Sequence, residues 1–155
     1  MFLEKADFTQ VIANTPLVSI DLVVKNPQGQ FLLGWRKNRP AKNFWFVPGG
    51  RIQKNERLDD AFLRLTDAEL GQRIALSDAQ WKGLYEHFYD DFVFSDETDE
   101  QVSTHYVVLA FEVTIDSDDI ELPKGQHTDY RWAAADEILA DEQVHKHSRW
   151  YFERR

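Results

Sequence analysis

In the stretch VPGGRIQKNERLDDAFLRLTDAELGQ, residues 47–72, a glycine pair, Gly49 and Gly50, is followed by Glu56, Arg64, Glu69 and Gly71. The order reads as a short strand, a paired-glycine turn, a charged link and a helix, a layout suited to holding a phosphate or a metal ion. Glycine permits close backbone approach to such a ligand, and a glutamate supplies the hard oxygen that magnesium prefers. Two helical places where a phosphate enzyme would be expected to carry acids hold Leu65 and Ala68 instead. The chemistry in question is therefore whatever survives with one carboxylate in that part of the helix.

Other residues could join it. Arg36 ends a candidate strand and Arg51 directly follows the glycines, so both could face one pocket and meet a developing negative charge. Five histidines are present, His127 among them in the polar segment LPKGQHTDY, and an ordinary imidazole titrates near pH ~6.5, suited to base work at neutral pH. Taken singly, each has a plainer explanation: an arginine on a sheet edge is usually solvated or ion-paired, and a loop histidine is usually a surface residue.

The elements that must position these groups follow from periodicity. Leu58, Ala61, Phe62, Leu65 and Ala68 recur at helical spacing and predict an amphipathic helix with Leu65 and Ala68 on its core side and Glu69 at the border of that side. In LVSIDLVVK, Val18, Ile20, Leu22 and Val24 alternate with Ser19 and Asp21, which predicts a strand with Asp21 on its polar face. The turn NPQGQ and the run FLLGWRK complete an antiparallel hairpin. Further strands are expected around Trp81 to Tyr89, His105 to Ile115 and Tyr130 to Ala133. Short helices are expected up to Asn14, with Asp7 and Gln10 as a capping box, near Asp136 to Ala140 and near Ser148 to Arg155. Strands that enclose a long helix after the third of them imply an α+β fold, a mixed β-sheet sandwiched between helices.

With 155 residues, 43% of them hydrophobic and 14% aromatic, the chain can bury one good core, and a single domain over residues 1–155 is expected. A net charge of −9 argues against a protein that grips nucleic acid through its phosphates. It leaves room for one local basic pocket. The absence of cysteine removes thiol nucleophiles and thiolate zinc sites and is compatible with the cytoplasm. Apolar runs such as YVVLAF are too short to span a bilayer, and MFLEKADFTQ lacks the apolar core of a secretory signal.

Gly50, five residues, Glu56, seven residues, Arg64, then Glu69 and Gly71 reproduce much of the box of the Nudix hydrolases, G-x5-E-x7-R-E-U-x-E-E-x-G-U with U apolar. Leu65 and Ala68 stand where that box has glutamates, Thr66 and Gln72 where it has apolar residues. This altered box, with TPLVS, FLLG, NRPA, WFVPGGR, RLTDAELG, EHFYDDF, THYVVL and DYRW around it, resembles the GDP-mannose mannosyl hydrolases, a Nudix branch also called GDP-mannose glycosidases, over nearly the whole chain.

The resemblance implies the Nudix fold and hydrolysis of GDP-mannose, and of GDP-glucose, to GDP and free sugar. It implies one magnesium ion per subunit, with manganese as a substitute, held by the Gly49 carbonyl, Glu69 and the Gln126 side chain. It further implies His127 as general base, Asp21 against the sugar, and Arg36, Arg51, Arg64 and Tyr106 around the departing diphosphate. Glu56 and Arg64 also tie the loop to the helix in that family. Phe2, Leu3 and Phe8 are implied at the guanine, and an amino-terminal segment reaching a neighbouring subunit implies a homodimer. The acidic segment YDDFVFSDETDEQVS is expected to be a mobile loop. The other readings are an ordinary Nudix pyrophosphohydrolase attacking phosphorus, which the two missing acids disfavour, and a nucleotide-binding module without catalysis, against which Glu69, Gln126 and His127 count.

Overall fold

The structure is a computed structural model that describes residues 3–116, 121–123 and 127–153, with the backbone alone at residues 127 and 128. The elements run α1 (Lys5–Asn14), β1 (Leu17–Lys25), β2 (Phe31–Arg36), β3 (Phe44–Phe46), β4 (Gly49–Arg51), α2 (Leu58–Leu70), β5 (Gln80–Tyr89), β6 (Thr104–Thr114), β7 (His127–Ala133), α3 (Ala135–Ala140) and α4 (Lys146–Arg149). Single 3-10 turns occur at Leu76–Asp78 and Trp150–Phe152.

Among the described residues seven strands form one sheet, in the order β3-β2-β1-β6-β5, with β4 added to β1 and β7 to β2. The β1–β6 pair is parallel and the remaining pairs are antiparallel, so the sheet is mixed as expected. Strands β1 and β2 share a register position only at Lys25↔Phe31. Beyond it β1 takes β4 as its neighbour, with Asp21 opposite Gly49 and Ser19 opposite Arg51, while β2 takes β7, with Arg36 opposite His127. This parting of two central strands leaves a notch at one end of the sheet.

The predicted polar face of β1 is not a solvent face. Ile20, Leu22 and Val24 pack with Phe62, Leu65 and Leu70 of α2 on one side, and Val23 packs with Leu33, Val47, Ile138, Val144 and Tyr151 on the other. The short C-terminal elements cover that second side, which the alternation in LVSIDLVVK could not register, because a central strand buried on both faces loses its period-two contrast. Val18, which shares the alternation of Ile20, Leu22 and Val24, is 41% exposed.

Other expectations are also corrected. The glycine pair lies in strand β4, not in a tight turn. Helix α1 begins at Lys5 with Glu4 as its N-cap, and no side chain caps it, so Asp7 sits inside the first turn, where it complements the helix dipole. Ala68 is exposed, whereas Leu65, Thr66 and Glu69 are buried. Helix α2 stops at Gly71, whose φ of 70° is the left-handed conformation that glycine adopts without strain. The acidic segment after β5 is pinned: Phe92 is fully buried in a small core with Ile12, Leu17 and Val102, and Asp91 and Asp96 pair with Arg39 at 2.6 and 2.9 Å.

Candidate active site

The notch holds a cleft of about 200 Å³. Its walls include Phe8 of α1, Asp21 of β1, Arg36 at the end of β2, Gly49 to Arg51 of β4, His87 and Tyr89 of β5, and Tyr106 of β6. Phe8, Asp21, Arg36, Gly49, Arg51 and Tyr106, six residues singled out from the sequence, therefore meet here from separate elements.

Strand pairing explains the approach of β4. A β-carbon on Gly49 would lie 2.4 Å from Asp21 Oδ1 and 2.5 Å from the Ile20 carbonyl, and one on Gly50 would lie 2.4 Å from Leu65 Cδ2. The glycines are thus required for close packing of strand on strand and strand on helix. They bring the backbone of β4 to within touching distance of the Asp21 carboxylate.

Cations and hydroxyls face one another across the cleft. The Arg36 guanidinium is held by the Pro40 carbonyl at 2.9 Å and the Arg39 carbonyl at 3.3 Å, and the Arg51 guanidinium stacks over the Phe8 ring at 4.6 Å. Burial raises the Tyr106 hydroxyl above its ordinary range, an effect Arg36 and Arg51 oppose, so this phenol stays protonated and can donate. Arg64 is turned elsewhere: it forms a two-pronged pair with Glu56 at 2.7 and 2.9 Å and also donates to the Arg51 carbonyl at 2.9 Å. Glu56 in turn accepts from the Gln53 backbone N–H. This is the loop-to-helix tie, with Arg64 supporting Arg51 from behind.

Two carboxylates stand near Arg36. Burial raises Asp21 to about 7, against the lowering effect of the Tyr151 hydrogen bond and of Arg36. Burial likewise raises Glu69 to about 7, Arg36 opposing and Asp21 adding to the rise. Buried acids whose charges repel take up either a proton or a cation. Among the described residues no group of three or more His, Cys, Asp or Glu side chains is arranged to hold a metal ion. A donor set of so few carboxylates beside a backbone-lined cleft suits magnesium or manganese, hard ions that fill their shells with water and substrate oxygens. Of the two described residues expected to hold the ion, Gly49 lines the cleft, whereas Glu69 is buried on α2 and is not among the lining residues.

His87 of the cleft wall belongs to an aromatic layer that sequence reasoning missed. Tyr151 donates to Asp21 Oδ2 at 2.5 Å and lies 3.3 Å from His87 Nε2. His87 stacks on His147 with ring centres 4.4 Å apart, and His147 adjoins His145 and Trp150 at 4.6 Å. The period-two run of Tyr85, His87 and Tyr89 was a readable signal for part of this layer. Nothing local pointed to Tyr151, which is 130 positions from Asp21. Leu3 is 38% exposed and does not line the cleft. Gln126 and Phe2 lie outside the described residues; His127 opens β7 beside Arg36, and only its backbone is described.

A split mixed sheet, a glycine-rich strand and the Glu56–Arg64 tie leading into α2 define a Nudix domain, and the chain belongs to that family: the NUDIX domain matches residues 15–153. Within it, the chain is 44% identical over 116 residues to the low-salt glycan biosynthesis protein Agl8 of Haloferax volcanii, covering 75% of this chain and 70% of that one. The fold is similar to the MutT protein of Methanosarcina mazei Go1, with a TM-score of 0.69 at 22% identity over 90% of this chain and 92% of that one. It is also similar to the NUDIX domain of Shewanella oneidensis NrtR, solved with ADP ribose, with a TM-score of 0.64 at 15% identity over 96% and 95%. Among the described residues no helix is long and apolar enough to cross a membrane.

Proposed function

We propose that this Nudix hydrolase cleaves GDP-mannose, and GDP-glucose, to GDP and free sugar, with water attacking the anomeric carbon. The observation that carries the reading is the burial of Leu65 in the core together with Ala68 at the other altered place of the box. Glu69 is then the box carboxylate left for the metal, an arrangement adequate for neutralising a leaving diphosphate and poor for also activating water at phosphorus. The relative named for glycan biosynthesis supports a sugar-bearing substrate.

The cleft, at about 200 Å³, is smaller than the roughly 300–1,000 Å³ of pockets that enclose whole ligands, which supports seating part of the nucleotide sugar, its sugar and diphosphate, within it; Phe2, Leu3 and Phe8 are the residues proposed for the guanine. Gly49, Glu69 and Gln126 would hold magnesium or manganese, which when bound would supply charge neutralisation for the departing diphosphate. Arg36 and Arg51 bind that diphosphate, Arg64 stabilises it through Arg51, and Tyr106 donates its proton-bearing hydroxyl to the developing charge. Asp21 binds the sugar. His127 takes the proton from the attacking water. We further infer a homodimer in which the amino-terminal segment contributes to the neighbouring base site, and a cytoplasmic location.

Hydrolysis in ¹⁸O-water tests the bond broken. Label is expected in mannose and none in GDP, and the first sugar seen by proton NMR should be the β anomer, since the substrate is α-linked and displacement inverts. Label in a phosphate, with GMP and mannose 1-phosphate as products, would establish attack at phosphorus; α-mannose appearing first would overturn the single displacement.

A further inference from the structure

We propose that Tyr151 is a positioning residue that holds the Asp21 carboxylate in one orientation and thereby sets how the cleft distinguishes sugars that differ at a single hydroxyl. The proposal rests on the assignment of Asp21 to the sugar.

The terminal torsion of an aspartate is broad, so a carboxylate left to itself turns easily. Here both oxygens are constrained. Oδ2 accepts from the Tyr151 hydroxyl at 2.5 Å, and Oδ1 lies against Gly49, where even a β-carbon would come within 2.4 Å. Tyr151 is itself immobilised: it is 3% exposed, belongs to the core cluster of Val23, Leu33 and Ile138, and meets the Tyr85 ring edge-on at 4.7 Å.

The hydrogen-bond direction follows from the proton count. A phenol has one proton, and a carboxylate is the better acceptor for it. The contact between Tyr151 and His87 Nε2 at 3.3 Å must then be a donation from the imidazole to the phenol oxygen. Burial keeps His87 neutral at ordinary pH, so its single ring proton is placed on Nε2 by this contact. The flat stack on His147, with the planes 8° apart, fixes the imidazole. The chain His87 to Tyr151 to Asp21 thus ends on a carboxylate that accepts from a substrate hydroxyl in one direction. A site built this way rejects the epimer whose hydroxyl points elsewhere.

The test is Tyr151→Phe, which removes one oxygen and keeps the ring. Steady-state kinetics on GDP-mannose and GDP-glucose, epimers at one carbon, should show the ratio of their kcat/KM values narrowing about tenfold, the scale of one lost hydrogen bond to a charged group. GDP affinity and magnesium activation should stay at wild-type values. In an Asp21→Ala background the same substitution should have no further effect on the ratio, and this cycle also separates positioning from general damage. An unchanged ratio, or an equal loss on both substrates with weakened GDP binding, would overturn the role of Tyr151. Absence of turnover on either nucleotide sugar by the unaltered protein would instead overturn the substrate reading on which the role rests.

Discussion

Leu65 of α2 sits directly over Gly50 of β4, its Cδ2 2.4 Å from where a β-carbon on that glycine would stand. Leu65 is also 3% exposed and part of the main core cluster. A place where the Nudix box carries a glutamate has thus become part of the hydrophobic contact between helix and sheet. Restoring the acid by Leu65→Glu should destabilise the metal-free protein by about 3 kcal/mol or more, since it both removes apolar packing and buries a charge. Denaturant unfolding in chelator measures this; wild-type stability would show that Leu65 is not a core residue. Gly49→Ala should be more harmful than Gly50→Ala, because it meets the Ile20 backbone carbonyl, whereas the Leu65 side chain can turn aside.

The pair between Arg64 and Glu56 is two-pronged and only partly exposed, at 36% and 15% of the side chains. Arg64→Ala should lower stability by about 1–3 kcal/mol, the range of charged hydrogen bonds. Arg64→Lys should recover only part of it, because an ammonium cannot reproduce the planar fork. Thermal melts of both variants provide the measurement, and equal recovery by lysine would contradict the fork geometry.

Glu69→Gln removes a charge whose burial is unfavourable without an ion, since its carboxyl is raised to about 7. Turnover should fall greatly and its dependence on magnesium should weaken, while the melting temperature in chelator at pH 8 stays the same or rises. Normal turnover at low magnesium would remove Glu69 from the metal site.

For the base, His127→Gln should lower kcat by on the order of 10² to 10⁴ with little change in KM. His87→Gln should leave a larger fraction of the rate, since His87 is committed to the contact with Tyr151. The reverse ranking would transfer the role of base to His87.

Acid sensitivity follows from the buried imidazoles. Burial lowers His147 to about 3, with His87, His145 and Lys146 adding to the effect, and lowers His87 and His145 to about 4. The unfolded chain takes up these protons near pH 6.5 and the folded chain only well below it. Between those limits the unfolded state binds more protons, so stability present above pH 6.5 is lost as the pH falls, each group contributing up to about 1.4 kcal/mol per pH unit. Asp21 and Glu69, raised to about 7, act in the opposite sense over roughly pH 4 to 7. Comparison with His147→Phe cancels that background: the variant should lose less stability than the parent between pH 6.5 and 4. Parallel stability curves would show that His147 does not titrate as its burial implies.

Local pattern alone determined a good deal of this protein. The helix from Leu58, the hairpin around NPQGQ, the strands after Trp81 and His105, and the spacing from Gly50 through Glu56 and Arg64 to Glu69 were legible because each depends on side-chain periodicity or fixed separation within one element. The burial of both faces of β1 was not, since the covering residues Ile138, Val144 and Tyr151 come from the far end of the chain. Nor was the true place of the glycines, because the reason for them is the approach of Asp21 and Leu65, neighbours only in space. The sequence could name Asp21 and Arg36 as chemically apt. That they meet in one notch was decided by the parting of β1 and β2 after a single shared register position, a matter of strand pairing between distant segments, and pairing of that kind leaves no local periodic trace.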